Sequence, residues 1–278
     1  MGKMKNMKRL VLVLLLCSSA FAANDFTTDS DVVAHWRFEA AGEGVDETDY
    51  SHDLSDYFDK FSIDTDEGDF MEGAGSAYTP GDASQALYRT DAGLHSDFPF
   101  ENSNSEGDYS ICFWINFDAV VEGQCAISKY HWSGDQRSFA VSFLDNGSAD
   151  FTLQITHGYN TGASAENIDF DTDGLDMAAT TWYHVGIAYT AADNTLDMRI
   201  CEDGETAKLD INETFSNTIW LGSTEDWCIG STSGKSDSKF AGHIDELVVW
   251  KRVISTDEMA AVQAGTFTLA TTSAAQIF

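Results

Sequence analysis

Positive charge is the scarcest property of this sequence. Its 278 residues hold 15 Lys and Arg against 46 Asp and Glu, a formal net charge of −31. Phosphates would be repelled rather than neutralised by such a surface. Nucleic acid is thereby excluded as a partner class, and an anionic membrane is an equally poor one. Long apolar runs are also missing. The run from Leu10 to Cys17 is too short to anchor in a bilayer. It follows a basic head (Lys3, Lys5, Lys8, Arg9) and precedes Ala20-Phe21-Ala22, an A-x-A cleavage pattern. Residues 1–22 therefore read as a secretory signal peptide, and the rest as an exported chain, extracellular or periplasmic, with no membrane insertion. Cys17 follows the bulky Leu16, where a lipidation site wants a small residue. Without the basic head, 11 basic residues face 46 acidic ones. That balance suits a solvated acidic surface, some of whose carboxylates could collect calcium.

Metal and redox motifs are absent as well. No C-x-x-C spacing occurs, which argues against a zinc ribbon or a thioredoxin-like site. The histidines form no H-x-H or H-E-x-x-H cluster, and there is no phosphate loop. Four cysteines lie beyond the leader: Cys112, Cys125, Cys201 and Cys228. An even number in an exported chain predicts two disulfides, with three connectivities open.

What is present reads as strands. "YSICFWINFD" puts Tyr109, Ile111, Phe113, Ile115 and Phe117 on one face, with Cys112 and Trp114 on the other. "SFAVSFLD", "DFTLQITH", "TWYHVGIAYT", "TLDMRICEDG" and "HIDELVVWKR" are similar runs, each bounded by turn residues. Many short strands at regular spacing predict an all-β antiparallel sandwich or jelly roll. One short helix is expected at "STDEMAAVQAG", opened by a Ser255–Glu258 capping box and closed at Gly265. Residues 23–30 are a lead-in, 31–265 one domain, and 266–278 an uncharged tail. Residues 44–76 read as long acidic surface loops.

The segment "GHIDELVVWKR" sets Asp245 beside Glu246 in an apolar run. Hydrolysis of a glycosidic bond needs two carboxyl groups roughly 5–10 Å apart across that bond. Side chains alternate faces along a strand, so neighbours on it are expected to point apart. The pair is then expected to bond turns, or a metal, near a sheet rim.

Several motifs occur together and in order. "VVAHWRFEAAGEG" with Asp49 and Ser51, "YSICFWINF", "TWYHVGIAYT", "RICEDGE", "WCIGS" and "GHIDELVVWKRVISTDEM" span residues 31–265. Together they resemble the laminin-G-like, concanavalin A-like jelly-roll family. Gly186 stands where that pattern usually has Ala, and His52-Asp53 where Gly-Asn is common. The resemblance implies an antiparallel two-sheet jelly-roll sandwich with one short C-terminal helix. It also implies a secreted binding module for extracellular carbohydrate, with calcium as a cofactor. Some glucanases of this architecture carry an E-x-D-x-x-E strand; none of the strand runs here carries that spacing, which occurs at residues 67–72 within the stretch read as surface loops, so a non-catalytic protein is expected. A structural or adhesive module contacting extracellular proteins is the alternative, and a polysaccharide-cleaving enzyme a third.

Candidate ligand residues are aromatics beside polar groups, because a sugar face stacks on a ring while its hydroxyls take hydrogen bonds. They are Tyr130 and Trp132 with Asp135, Tyr159 with Asn160, and Trp220 and Trp227. Trp132 could equally pack over a sheet edge. Trp36, Trp114, Trp182 and Trp250 sit in strand patterns and read as core. For calcium, resemblance to the pentraxins implies Asp135, Gln136 and Asp237. The meeting of chain ends in such folds implies Asp49 with Glu246. Asp169, Asp171 and Asp173 match the first half of an EF-hand loop. The twelfth position of that loop is Thr180 rather than Glu, which favours a plain acidic loop.

Overall fold

A computed structural model of the protein describes residues 24–39, 44–81, 84–104, 107–119, 123–145, 151–170, 177–206, 209–235 and 238–269. The leader 1–22 and residues 270–278 of the tail lie outside the described residues. The strands are β1 (Val32–Trp36), β2 (Ser55–Asp56), β3 (Ser62–Asp64), β4 (Ser76–Pro80), β5 (Leu87–Arg89), β6 (Tyr109–Phe117), β7 (Gln124–His131), β8 (Gln136–Asp145), β9 (Phe151–Tyr159), β10 (Ser164–Phe170), β11 (Trp182–Thr190), β12 (Thr195–Glu202), β13 (Leu209–Thr214), β14 (Trp227–Ile229) and β15 (Ala241–Trp250), followed by helix α1 (Thr256–Gln263).

They form two antiparallel sheets, a jelly-roll sandwich. One runs β13-β12-β11-β6-β15-β4-β3, with β1 also on β15; the other runs β10-β9-β8-β7-β14-β5-β2. The inward faces meet in one apolar core that includes Phe113, Ile115, Val141, Ile155, Val185 and Ile187. Trp36 of one sheet stacks on Trp227 of the other at 6.5 Å, and Phe139 lies parallel to Trp227 at 6.2 Å.

β6 is buried along its whole length, because its outer face is covered too. Helix α1 and both ends of the described chain pack there. Phe26, Cys112, Val248, Trp250, Met259, Val262 and Phe267 form this second cluster. The lead-in and the first tail residues thus belong to the packed body. Asp25 bridges Thr268 in a parallel pairing, and Phe26 lies 5.2 Å from Phe267. The capping box at Ser255 and Glu258 forms as expected. At the other end Gly265 has φ +65°, and its N–H and that of Thr266 bond to Val262 and Ala261. This is a Schellman close. The departure at Gly186 has a steric reason, since a Cβ there would sit 2.9 Å from Met259 Sδ.

The expected disulfides do not form. None of the four cysteines is disulfide-bonded, and all are buried. Cys112 and Cys201 lie on β6 and β12, with β11 between them, while Cys125 and Cys228 belong to the other sheet. Two strand spacings exceed disulfide reach. On adjacent β7 and β14, Cys228 pairs with Ser128 rather than with Cys125. Burial pushes the Cys125 thiol up to about 12, and raises those of Cys112 and Cys228 further. The acidic stretch 44–76 is more ordered than expected, since it contains β2 and β3 and buries Asp46, His52 and Phe61.

Candidate ligand-binding site

Trp132 stands at the tip of the β7–β8 hairpin and is 63% exposed, whereas Trp36, Trp114, Trp182, Trp227 and Trp250 are buried. The turn is built from Gly134 and Asp135, both in the left-handed region at φ +75° and +56°. His131 stacks on Trp132 at 6.1 Å, and its Nδ1 is bonded by Ser133 Oγ at 3.0 Å. Beside it lies the β9–β10 turn, where Asn160, Thr161 and Gly162 all have positive φ.

Arg137 joins the two turns. Its Nη2 donates to the Trp132 carbonyl, while Nη1 donates to those of Ala163 at 2.7 Å and Gly162 at 3.3 Å. Trp220 closes the far side, since a Cβ on Gly162 would lie 2.4 Å from its ring and 2.3 Å from the Asp135 carbonyl. The Trp220 backbone N–H donates to the Gly158 carbonyl at 2.7 Å. Beneath the tip Lys129 is fully buried and donates to Asp91 at 2.5 Å and to the Ser223 carbonyl. Burial lowers its pKa, and the Asp91 carboxylate opposes that shift. The result is a braced end of the sheet that carries an exposed indole beside an exposed carboxylate.

The Asp245–Glu246 pair occupies the other sheet. Strand alternation would send the two apart, but Glu246 has φ +48° and the β15–β6 register skips between Asp245 and Val248. This bulge turns both acids to the outer face. Asp245 pairs across from Trp114, which points away from the core residues Phe113 and Ile115. Glu246 reaches His35 Nε2 at 2.8 Å and Arg37 Nε at 2.9 Å. Asp245 accepts the N–H groups of Met71 at 2.8 Å, Glu72 at 3.1 Å and Glu246 at 2.8 Å. Burial raises the Asp245 carboxyl well above its ordinary range, and the Glu246 charge adds to the shift. Glu72, half-buried alongside, is raised to about 7 by burial and then by Glu246.

A sequence profile of the concanavalin A-like lectin/glucanases superfamily matches residues 91–260, more than half of the chain. The chain belongs to that superfamily. No curated protein matches it by sequence. Among solved structures, the binding domain of botulinum neurotoxin DC in complex with SialylT aligns at TM-score 0.56 and 10% identity, covering 86% of this chain and 52% of that one. The same toxin domain in complex with rat synaptotagmin II aligns at TM-score 0.55 and 11% identity, covering 85% and 52%. A botulinum neurotoxin type C structure, described as depending on two ganglioside molecules for cell entry, aligns at TM-score 0.50 and 10% identity, covering 86% and 52%. The match spans about half the length of each of these chains, and at such identity it establishes a shared fold.

Within this concanavalin A-like sandwich the candidate residues do not converge on one place. Tyr130, Trp132, Asp135 and Tyr159 lie at the braced tip, with Tyr130 and Tyr159 half-buried. Trp227 does not belong with them: it is 0% exposed and part of the core, because β14 is a central strand and directs it inward. Gln136 Oε1 is occupied by Ser223 Oγ at 2.9 Å and the Thr224 N–H at 2.8 Å. Asp237, Asp171 and Asp173 lie outside the described residues, and Asp169 sits on β10 opposite Gln154. Asp49 is exposed, and the opening turn is held by Asp46 instead. The buried Asp46 carboxylate accepts the N–H groups of His35 and Thr48, each at 3.0 Å, and of His52 at 2.8 Å. Sequence reading missed Asp46 and Arg37. An Asp followed two residues later by Thr is a turn signal that would have found the first. Nothing local distinguishes Arg37. Asp64, Asp66 and Asp69 form a further acidic cluster on the 64–69 loop.

Proposed function

We propose that this domain is a secreted, non-catalytic module that binds extracellular carbohydrate at the Trp132 tip. The observation that carries the reading is the indole of Trp132, 63% exposed on a turn that Arg137 braces from the neighbouring hairpin. A rigid exposed ring loses little entropy when a pyranose face stacks on it, and the adjacent Asp135 carboxylate accepts hydroxyl hydrogen bonds. Calcium is proposed as an auxiliary ligand of Asp135. Relatives of the same fold, captured with SialylT or described with gangliosides, support glycan as the ligand class. The commitment of Asp245 and Glu246 to backbone, His35 and Arg37 supports a binding role over hydrolysis.

A protein-contact reading has its own observation. Phe58 is 65% exposed beside Tyr57 at 4.4 Å, and a toxin domain of this fold is solved with rat synaptotagmin II. A glycan array with calcium and again with chelator separates the two. Glycan binding abolished by Trp132→Ala supports the lectin reading. Absence of binding under both conditions sinks it in favour of protein contact.

A further inference from the structure

Asp64 at the end of β3 pairs directly with Ser76 at the start of β4, so a two-residue turn would close that hairpin. Residues 65–75 are instead a long loop, laid across the outer face of its own sheet. The Trp182 indole N–H donates to the Gly68 carbonyl at 2.9 Å, and Ser76 Oγ to the Asp69 carbonyl. Asp245 accepts the N–H groups of Met71 and Glu72. These anchors stand on β11, β4 and β15, so the loop crosses β6 on the way.

Strand register names what lies beneath. Trp182, Asn116, His243 and Tyr78 form one row across β11, β6, β15 and β4. Cys201, His184, Trp114 and Asp245 form the next, across β12, β11, β6 and β15. Each row is roughly 14 Å long, three strand spacings. Trp114 and Asp245 point away from the core, and the residues paired with them share that face.

Polar groups in this patch lack partners. His184 is 0% exposed, and neither of its ring nitrogens makes a hydrogen bond. The buried Nε of Arg199, two residues before Cys201 on β12, makes none either. The Asn116 amide, 8% exposed, has no hydrogen bond among the described residues. Burial pushes the His184 imidazole down to about 3, so the ring is neutral and offers one donor and one acceptor. The neighbouring charges are answered, since Arg199 Nη1 holds both oxygens of Asp210. His243 Nδ1 meets Ser76 Oγ, and the Tyr78 hydroxyl donates to Asp118. Unpaired donors and acceptors beside two indoles match a neutral sugar, whose hydroxyls both give and take hydrogen bonds while its ring face stacks.

The loop itself is lightly held. No residue of 65–75 belongs to either apolar cluster. Its further tethers are polar too: Asn24 Nδ2 donates to Glu72 at 2.9 Å, and the Ala74 N–H to Glu39 at 2.8 Å. A segment with few apolar contacts opens locally at low cost. Its backbone also does what a ligand would do there. The Gly68 carbonyl takes the Trp182 hydrogen as a hydroxyl oxygen would, and the Met71 and Glu72 N–H groups fill Asp245 as hydroxyl hydrogens would.

We propose that residues 65–75 are a lid over a second carbohydrate site, in which Trp114 and Trp182 stack on a neutral sugar while His184, Asn116 and Asp245 bind its hydroxyls. The lid closes this site at rest, and the site stands independently of glycan binding at Trp132.

A glycan array of neutral and sialylated oligosaccharides, probed with the full chain, tests it. Trp132→Ala removes the tip, and Asn-Gly in place of residues 65–75 removes the lid. The first change alone should leave only background signal. Both together should raise the neutral-glycan signal at least about tenfold above it, and adding His184→Ala or Asn116→Ala should cost about tenfold. Thermal melts establish that each variant is folded. Should the lidless chain not fold, Glu39→Ala/Ser76→Ala cuts two tethers in the same Trp132→Ala background and should give a gain of the same sign. The proposal is overturned if neither opened form binds a neutral glycan, if His184→Ala and Asn116→Ala leave binding unchanged, or if sialylated glycans bind better. Binding by the opened form where the wild type binds nothing supports the lid and sinks the tip reading alone.

Discussion

Arg137 donates to the carbonyl of Trp132 and, from the same guanidinium, to that of Ala163 at 2.7 Å. One planar fork therefore sets the spacing of two hairpin turns. A lysine has a single point charge on a flexible stem and cannot span both carbonyls. Arg137→Lys should lower glycan affinity about tenfold, with only a few degrees lost in Tm. Parallel calorimetry and thermal melts check this, and unchanged affinity would remove Arg137 from the site.

Trp132 and Trp227 make a matched pair of opposite expectation. Trp132→Ala should abolish glycan binding and leave stability within about 0.5 kcal/mol, as for a surface substitution. Trp227→Ala empties the centre of the sandwich and should cost about 3–5 kcal/mol. Urea denaturation of both variants reads the contrast directly.

Glu246→Ala leaves His35 and Arg37 without their carboxylate. Breaking a buried ion pair costs about 3–5 kcal/mol, and the 31% exposure of Arg37 favours the low end. The urea midpoint should fall with its slope unchanged. An effect below about 1 kcal/mol would mean that the bulge, and not the charge, holds this corner.

Glu72 titrates at about 7 in the folded protein against an ordinary 4.5, raised by burial and then by Glu246. Between those values the folded state holds more protons than the unfolded one. Its contribution to stability is therefore full below pH 4.5 and is lost as pH rises towards 7. The wild-type stability minus that of Glu72→Gln should fall across this window and be flat above it. A difference that is flat throughout would place Glu72 in solvent.

Buried thiols differ chemically from disulfides. The folded protein should react slowly with a thiol reagent, and the urea-unfolded protein should release the thiols of Cys112, Cys125, Cys201 and Cys228 without reductant. Mass analysis of the alkylated chain counts them.

The strand pattern of β6, β11 and β15 was legible because burial on both faces writes apolar residues at nearly every position, between clear turns. The caps of α1 were legible because capping chemistry is local. The bulge was not. A positive φ at a glutamate has no residue signature, and it reversed the expected separation of Asp245 from Glu246. β10 was hidden because it is polar and carries no apolar alternation. Trp227 was misplaced because it sits next to the acidic turn Glu225-Asp226, although it begins a buried strand. The cysteine count suggested pairing, but facing across strands is decided by register, which a single sequence does not state.

The pairing of Asp25 with Thr268 also governs how the domain would carry load. The two ends of the described chain lie side by side, so a force that pulls them apart acts on this short bridge and on the Phe26–Phe267 contact before it reaches either sheet. The hairpin tip at Trp132 belongs to the opposite sheet, so the load path through the two ends does not run through it.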